Sequence, residues 1–383
     1  MGHAKPPPSR IESLTGLRGM AALGVLGYHA WLLARMPDPA PGVPGLSQAL
    51  DWLLRIGWSG VDVFFTLSAF LLALPFARAA RDGAPMPDWR AYLRRRGARI
   101  LPAYWLQLGL VLAAALAGLA WGRATPPWPG WNSTVAHAVL WLNAWPRIEP
   151  LFAHWWTLPV EFGFYLLLPV LARAFAPRRW PWLLGLVVLA WSWRAYWLLH
   201  PRTDYAHLAW VDQVPGRIDQ FAIGMLAAWA WVCHEARGRQ VTPRAANALL
   251  LASGLVFLAL PALLLLDGRP NVNPSVSLHP VVLAWHGLAS VPVAGLLIAC
   301  VAGAPWAARG LASRPMLWLG DISYSVYLWH LPVIAWVVWQ SGELATGDFW
   351  PYFAACLLLT LALASASWWF VERPAQAWTA RRR

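Results

Sequence analysis

Charge is what this chain has least of. Only 12% of its 383 residues are Asp, Glu, Lys or Arg, against 59% hydrophobic. Soluble domains carry roughly 25% charged residues, so a water-facing shell for a globule of this length cannot be assembled. Cysteine is scarce as well. Cys233, Cys300 and Cys356 have no metal-ligand spacing and are too few for a disulfide framework. They read as small buried hydrophobes, and no metal is expected. No internal repeat, coiled-coil heptad or appended soluble domain is visible. The first apolar run, 14–34, exceeds the 7–15 residues of a signal-peptide core and lacks a clear cleavage site, so it reads as a retained first span.

What is present in excess is tryptophan, 30 residues, and a net charge of +13. Amphipathic indole rings favour membrane–water interfaces. On a soluble surface the positive charge would point to nucleic acid. Here the arginines fall in short clusters between apolar runs, so membrane topology accounts for them and no nucleic-acid partner is expected. Runs of about 20 residues are needed to cross a bilayer. They lie near 14–35, 53–77, 99–121, 155–176, 181–199, 217–234, 246–266, 281–302, 317–340 and 350–371. The stretch 134–145 is too short and reads as interfacial or re-entrant. The expected fold is an all-α polytopic membrane bundle of about ten transmembrane helices. With the N-terminus inside, twenty-one Lys and Arg fall in inner segments and eight in outer ones, Arg18 lying within a span. That bias places both termini in the cytoplasm.

Ionisable groups inside a bilayer are costly, so each is a functional candidate. Arg18 and His29 share the first span. Eleven residues put them about 20° apart on one face and roughly 16 Å apart along the axis. Glycines 16, 19, 24 and 27 let neighbouring helices approach closely. Asp62 of the second span lies at a depth similar to His29, where it can orient an imidazole or partner an arginine. Arg96 and Arg99 share a face at the mouth of the third span. Two fixed guanidinium forks there suit phosphate, or act as ordinary inner anchors. His154, Glu161 and Tyr165 are spaced to line one face of the fourth span, with Glu161 in the outer half. Arg217 and Asp219 open the sixth span, either as a self-contained ion pair or as part of a site. Ser323, Tyr327 and His330 form a polar stripe on the ninth. Glu372-Arg373-Pro374 closes the last span as a structural pair and helix stop.

Together these stretches resemble the acyltransferase 3 family of integral membrane acyltransferases. The resemblance rests on Gly16-Leu17-Arg18-Gly19 with His29, Gly60-Val61-Asp62-Val63-Phe64-Phe65, Arg96 to Pro102, and Trp156 to Glu161 with Phe164-Tyr165. It continues through Arg217-Ile218-Asp219 with Gly224, Ser323 to His330 and Glu372-Arg373-Pro374. In order they cover nearly the whole chain. Two positions depart from the pattern: Thr15 stands where Asp is usual, and Ala69 where Gly is usual after Ser68. The resemblance implies transfer of an acetyl or other short acyl group from cytosolic acyl-CoA to a hydroxyl of a polysaccharide, lipid-linked sugar or glycosylated metabolite. It maps the family's Arg–His pair onto Arg18 and His29 and its paired arginines onto Arg96 and Arg99.

On this reading His29 is the general base, or else carries the acyl group covalently. Glu161 or Asp62 holds its second nitrogen, as in triad logic. Arg18, Arg96 and Arg99 bind the donor. His154, Tyr165, Arg217, Asp219, Tyr327 and His330 form an acceptor site or a supporting network. No permanently bound cofactor is expected, acyl-CoA being a co-substrate. The expected partners are the bilayer of the cytoplasmic membrane, a sugar-containing acceptor and envelope-assembly proteins. A transporter or flippase is the rival class, because intramembrane charges also mark substrate paths. Inverted repeats would favour it, and none is detected. The topology is tested by accessibility in intact cells: tags at both termini should be shielded from outside reagents, and a tag between Gly342 and Gly347 should be reachable. A C-terminus accessible from outside would reverse the orientation.

Overall fold

In a bilayer core every backbone N–H and C=O must be satisfied internally, which leaves helices as the natural outcome of such apolar runs. The computed structural model describes residues 10–118, 128–142, 148, 150–176, 178–200, 210–267, 280–340 and 349–381, and among these it is helical with no strand. The helices are α1 (Arg10–Leu33), α2 (Pro44–Arg55), α3 (Gly60–Asp82), α4 (Trp89–Leu116), α5 (Gly130–Ala138), α6 (Thr157–Leu171), α7 (Trp182–Leu199) and α8 (Val214–Ala236). They continue as α9 (Pro243–Ala259), α10 (Pro280–Val301), α11 (Pro305–Gly310), α12 (Arg314–Asp321), α13 (Ser323–Gln340), α14 (Phe349–Ser367) and α15 (Arg373–Arg381).

Each of the ten expected apolar runs contains a helix. By length and apolarity, seven described helices qualify as membrane spans, or eight if α12 and α13, bent by 70°, count as one. α1 and α8 are 24 and 23 residues long but carry the ionisable groups that dilute their apolar character. Instead of facing lipid, α8 is buried in the middle of the bundle. Lipid-facing positions elsewhere are large hydrophobics such as Leu116, Trp182, Val188 and Leu358. Of the described part of the stretch 134–145, residues 134–138 belong to the nine-residue α5, too short to cross. Its backbone docks on α4, where the Tyr104 hydroxyl donates to His137 O at 2.9 Å.

Close helix crossings set the frame. α3 presses its N-terminal end onto the middle of α1: a Cβ on Gly60 would strike the Ala21 carbonyl, and one on Gly57, in the 3₁₀ turn just before α3, would strike the Gly24 carbonyl. The crossing therefore lies between Arg18 and His29 along α1. α3 also packs against α8 at Gly224, where a Cβ would meet Thr66 O and lie 2.7 Å from the Ala69 methyl. The alanine that departs from the family pattern is thus accommodated by the glycine facing it.

The last span differs from expectation. After Ser367 the chain makes a π turn, Trp368–Glu372, and continues helically through Pro374 as α15. Glu372 and Arg373 do not pair: Glu372 accepts a hydrogen bond from Ser325 Oγ, while the Arg373 guanidinium stacks 4.2 Å from the Trp369 ring centre. The π turn rotates consecutive residues apart, sending the carboxylate inward and the guanidinium onto an aromatic face.

Candidate active site

Among the described residues, two adjoining cavities gather most of the candidate ionisable groups. The first, about 700 Å³, is lined by Arg18 from α1, Ser68 from α3, Arg96 and Arg99 from α4, and Glu161 and Tyr165 from α6. The second, about 1250 Å³, is lined by Tyr28 and His29 from α1, Asp62 from α3, His154 and Trp156 ahead of α6, Asp212 and Arg217 around the start of α8, and His286 from α10. Val61 and Tyr327 line both. Arg18 and His29, on one continuous helix, open into different cavities.

The arginine cavity sets three guanidinium groups against one carboxylate. Among the described residues, none of the three donates a hydrogen bond to a protein acceptor. Glu161 is turned toward hydroxyls instead. Its Oε1 accepts from Ser68 Oγ at 2.8 Å and from the Tyr165 hydroxyl at 2.6 Å. Arg18 lies within electrostatic reach of Glu161, and Asp321 within that of Arg18. Fifteen guanidinium N–H bonds with no protein acceptor make a receptor for a multiply charged anion, since guanidinium forks match phosphate oxygens.

The sequence reading placed Glu161 or Asp62 behind His29, and the structure puts neither there. Glu161 belongs to the other cavity. His154 does not share its face because residues Ala153–Trp156 form a 3₁₀ turn before α6 begins, and the tighter winding breaks the 100° spacing. Asp62 pairs with His286 Nδ1 at 2.8 Å and accepts from Gln220 Nε2. The group behind His29 is His330, whose Nε2 lies 3.1 Å from His29 Nδ1.

Backbone carbonyls settle the tautomers. His330 Nδ1 lies 2.5 Å from Tyr327 O. A carbonyl only accepts, so Nδ1 carries hydrogen and the neutral ring offers a lone pair at Nε2. His29 Nδ1 must then be the donor, shared between His330 Nε2 and Val25 O at 3.0 Å. The lone pair of neutral His29 is left at Nε2, which has no partner among the described residues and opens on the cavity. That is the arrangement a general base requires.

His154 is held the same way. Its Nε2 donates to Leu328 O at 3.0 Å, and Gln107 Nε2 donates to the same oxygen at 2.8 Å. That carbonyl is available because Pro332, four residues on, has no N–H to bond it. One proline in a span thus places two buried polar side chains.

The far wall is an ionic network. Arg217 donates to Asp212 through Nε at 3.0 Å and to His286 Nε2 through Nη1, and it stacks 4.8 Å from the Trp156 ring centre. Arginine cannot accept, so His286 accepts at Nε2 and donates Nδ1–H to Asp62. Of the two readings of Arg217 and Asp219, the self-contained ion pair does not form. Asp219 binds Arg194 at 2.7 Å, and Arg194 also donates to Leu283 O at 2.8 Å and to Gly216 O. On a helix, residues two apart point to different sides, and each takes a partner from another element. Arg194, Asp212, Gln220 and His286 were missed by motif reasoning. Arg194 and His286 meet the criterion applied to His29, an ionisable side chain inside an apolar run, but stand in no pattern.

A family profile described as "Acyltransferase domain" matches residues 11–369. The chain belongs to the acyltransferase 3 family. Exopolysaccharide production protein ExoZ of Rhizobium meliloti (strain 1021) is 32% identical over 83% of this chain and 89% of its own length. Acyltransferase MdmB of Streptomyces mycarofaciens is 28% identical, over 94% and 89%. The putative peptidoglycan O-acetyltransferase YrhL of Bacillus subtilis (strain 168) is 25% identical over 98% of this chain but 56% of its own length. The chain therefore spans most of the first two and just over half of the third. No solved structure matches it. With several apolar helices and this membership, the protein is an integral membrane protein.

The Arg194–Asp219 pair is almost fully buried, so removing one partner strands a charge. Asp219→Ala should destabilise the protein by about 3–5 kcal/mol, read as a lowered melting temperature in detergent. Unchanged melting would show that the pair is solvated.

Proposed function

We propose that the protein is an O-acyltransferase that moves an acetyl or other short acyl group from acyl-CoA to a hydroxyl of a carbohydrate-containing acceptor. The observation that carries this reading is the division of labour between adjoining cavities. One presents three guanidinium groups with unfilled donors, suited to the phosphates of CoA. The other presents an imidazole whose free nitrogen faces a large space walled by Trp58 and Trp156, with Asp212 and Arg217. Aromatic faces with charged hydrogen-bonding partners suit sugar rings. The relatives' names, exopolysaccharide production and peptidoglycan O-acetylation, support a glycan acceptor. The aromatic stretches 121–150 and 200–215 also suit it on composition; residues 121–127, 143–147, 149 and 201–209 lie outside the described residues, as does the 342–347 loop.

In the proposed reaction His29 Nε2 takes the acceptor hydroxyl proton. The oxygen bonds to the thioester carbonyl carbon, the carbon–sulfur bond breaks, and the proton passes from His29 to the departing thiolate. His330 holds the base in its reactive tautomer, and the Arg217 network shapes the acceptor wall. In this reading the bundle crosses the cytoplasmic membrane ten times with both termini inside. That sets the arginine cavity toward the cytosolic supply of acyl-CoA, and envelope-assembly proteins supply the acceptor.

Two measurements test the roles separately. Arg96→Ala or Arg99→Ala should weaken CoA binding to purified protein by roughly 1.5–3 kcal/mol, with Arg→Lys restoring it only in part because the fork is lost. Unchanged affinity in both alanine variants would remove the donor assignment. His29→Ala should lower acyl transfer by about 10²–10⁴-fold with CoA binding retained, and His29→Gln should be nearly as inactive, because an amide cannot take the proton. Near-wild-type turnover by folded His29→Gln would overturn the general-base role.

A further inference from the structure

Resting on the donor and base assignments above, one question remains: how a thioester anchored by its phosphates in one cavity meets a base in the other. The thioester has to cross the boundary between the cavities to reach the base. Val61 and Tyr327 are the two residues that line both. We propose that Val61 and Tyr327 form the aperture through which the acyl thioester passes from the arginine cavity to His29, and that the width left by Val61 selects the acyl group.

Three observations support this. First, the boundary lies at the right depth. Gly60, immediately before Val61, is packed against Ala21 and Val25 of α1, between Arg18 and His29. An aperture there divides the distance between phosphate site and base.

Second, both sides of the aperture are stiff. The Tyr327 hydroxyl donates to His154 O at 3.0 Å and lies 2.8 Å from Thr157 Oγ1. Its ring meets Phe64 edge-on at 5.8 Å between centres. Val61 is β-branched within a helix, where one rotamer dominates. A leucine or methionine there could swing aside; valine cannot.

Third, the same tyrosine joins the aperture to the base. Tyr327 O is the carbonyl that fixes the His330 tautomer, and His330 in turn orients His29. A thioester emerging past Tyr327 arrives beside the imidazole it needs.

The aperture constrains girth more than length, because the histidine cavity beyond it is the larger of the two. Straight acyl groups should pass, and groups branched at the carbon next to the carbonyl should be held back. Pockets that discriminate by one methylene typically do so by about 10–200-fold. The chemistry is unchanged: the thioester carbon–sulfur bond breaks, the ester carbon–oxygen bond forms, and the hydroxyl proton ends on the CoA thiol.

The test supplies acetyl-CoA or 2-methylpropanoyl-CoA to membranes carrying the wild-type, Val61→Ala or Val61→Phe protein and measures CoA thiol released above that from membranes without it. CoA affinity is measured on each purified protein. Val61→Ala should raise the branched-to-acetyl rate ratio by roughly tenfold or more. Val61→Phe should stop thiol release from both donors while still binding CoA. An unchanged ratio in Val61→Ala, or full activity in Val61→Phe, with CoA bound normally, would overturn the aperture and leave the donor site standing. Failure of the wild-type protein to bind CoA at all would instead take down the donor reading and this inference with it.

Discussion

A polar group held away from water is costly unless it finds a partner inside the protein, and the arrangement of the site follows from how its histidines and arginines do. Carbonyls are the scarce resource, because in a regular helix nearly all are already engaged. Pro332 releases one, and both Gln107 and His154 converge on it. Tyr327 O and Val25 O take the imidazole hydrogens of His330 and His29. Arg194 takes Leu283 O and Gly216 O besides its carboxylate. The backbone, by accepting and never donating at these oxygens, decides which nitrogen of each histidine carries hydrogen.

The two cavities use that constraint in opposite ways. Around the histidine cavity the charged groups are joined into a chain running Asp212, Arg217, His286 and Asp62. A hydrogen-bonded network of this kind is stiff, although Asp62 Oδ2 and Gln220 Oε1 are buried in it without a hydrogen-bond partner. In the arginine cavity the guanidinium groups keep their donors unfilled, and the nearest carboxylate is occupied by Ser68 and Tyr165. Unfilled donors beside an occupied acceptor leave binding energy for an incoming anion. Their mutual repulsion is an added reason for the site to favour one.

Small residues give these groups their positions. Gly57 and Gly60 bring α3 against α1 between Arg18 and His29, and Gly224 brings α8 against α3 beside Ala69. Side chains at these points would separate the helices and dissolve the boundary at Val61 and Tyr327. One of the two positions where the family pattern is broken, Ala69, is absorbed because Gly224, its neighbour across the interface, has no side chain to clash.

Much was legible in the residues themselves. Apolar runs of spanning length, few charges and abundant tryptophan determine a helical membrane protein, because hydropathy and backbone satisfaction are local properties. Arg18 and His29 were legible as candidates for the same reason: an ionisable group in an apolar run is costly wherever the helix packs. Arg96 and Arg99 were legible from their spacing, which puts two guanidinium groups on one face at the mouth of a span. What tertiary structure decided was partnership. Depth along a span suggested Asp62 or Glu161 for His29, but depth does not specify azimuth. His330, about 300 residues away in sequence, reaches it instead. Arg217 and Asp219, two residues apart, took partners on other elements, and a 3₁₀ turn separated His154 from Glu161. Sequence fixes which side chains must be satisfied; only the packing of helices around one another determines by whom, because hydrogen bonds of about 3 Å depend on rotations and crossings that no single helix contains.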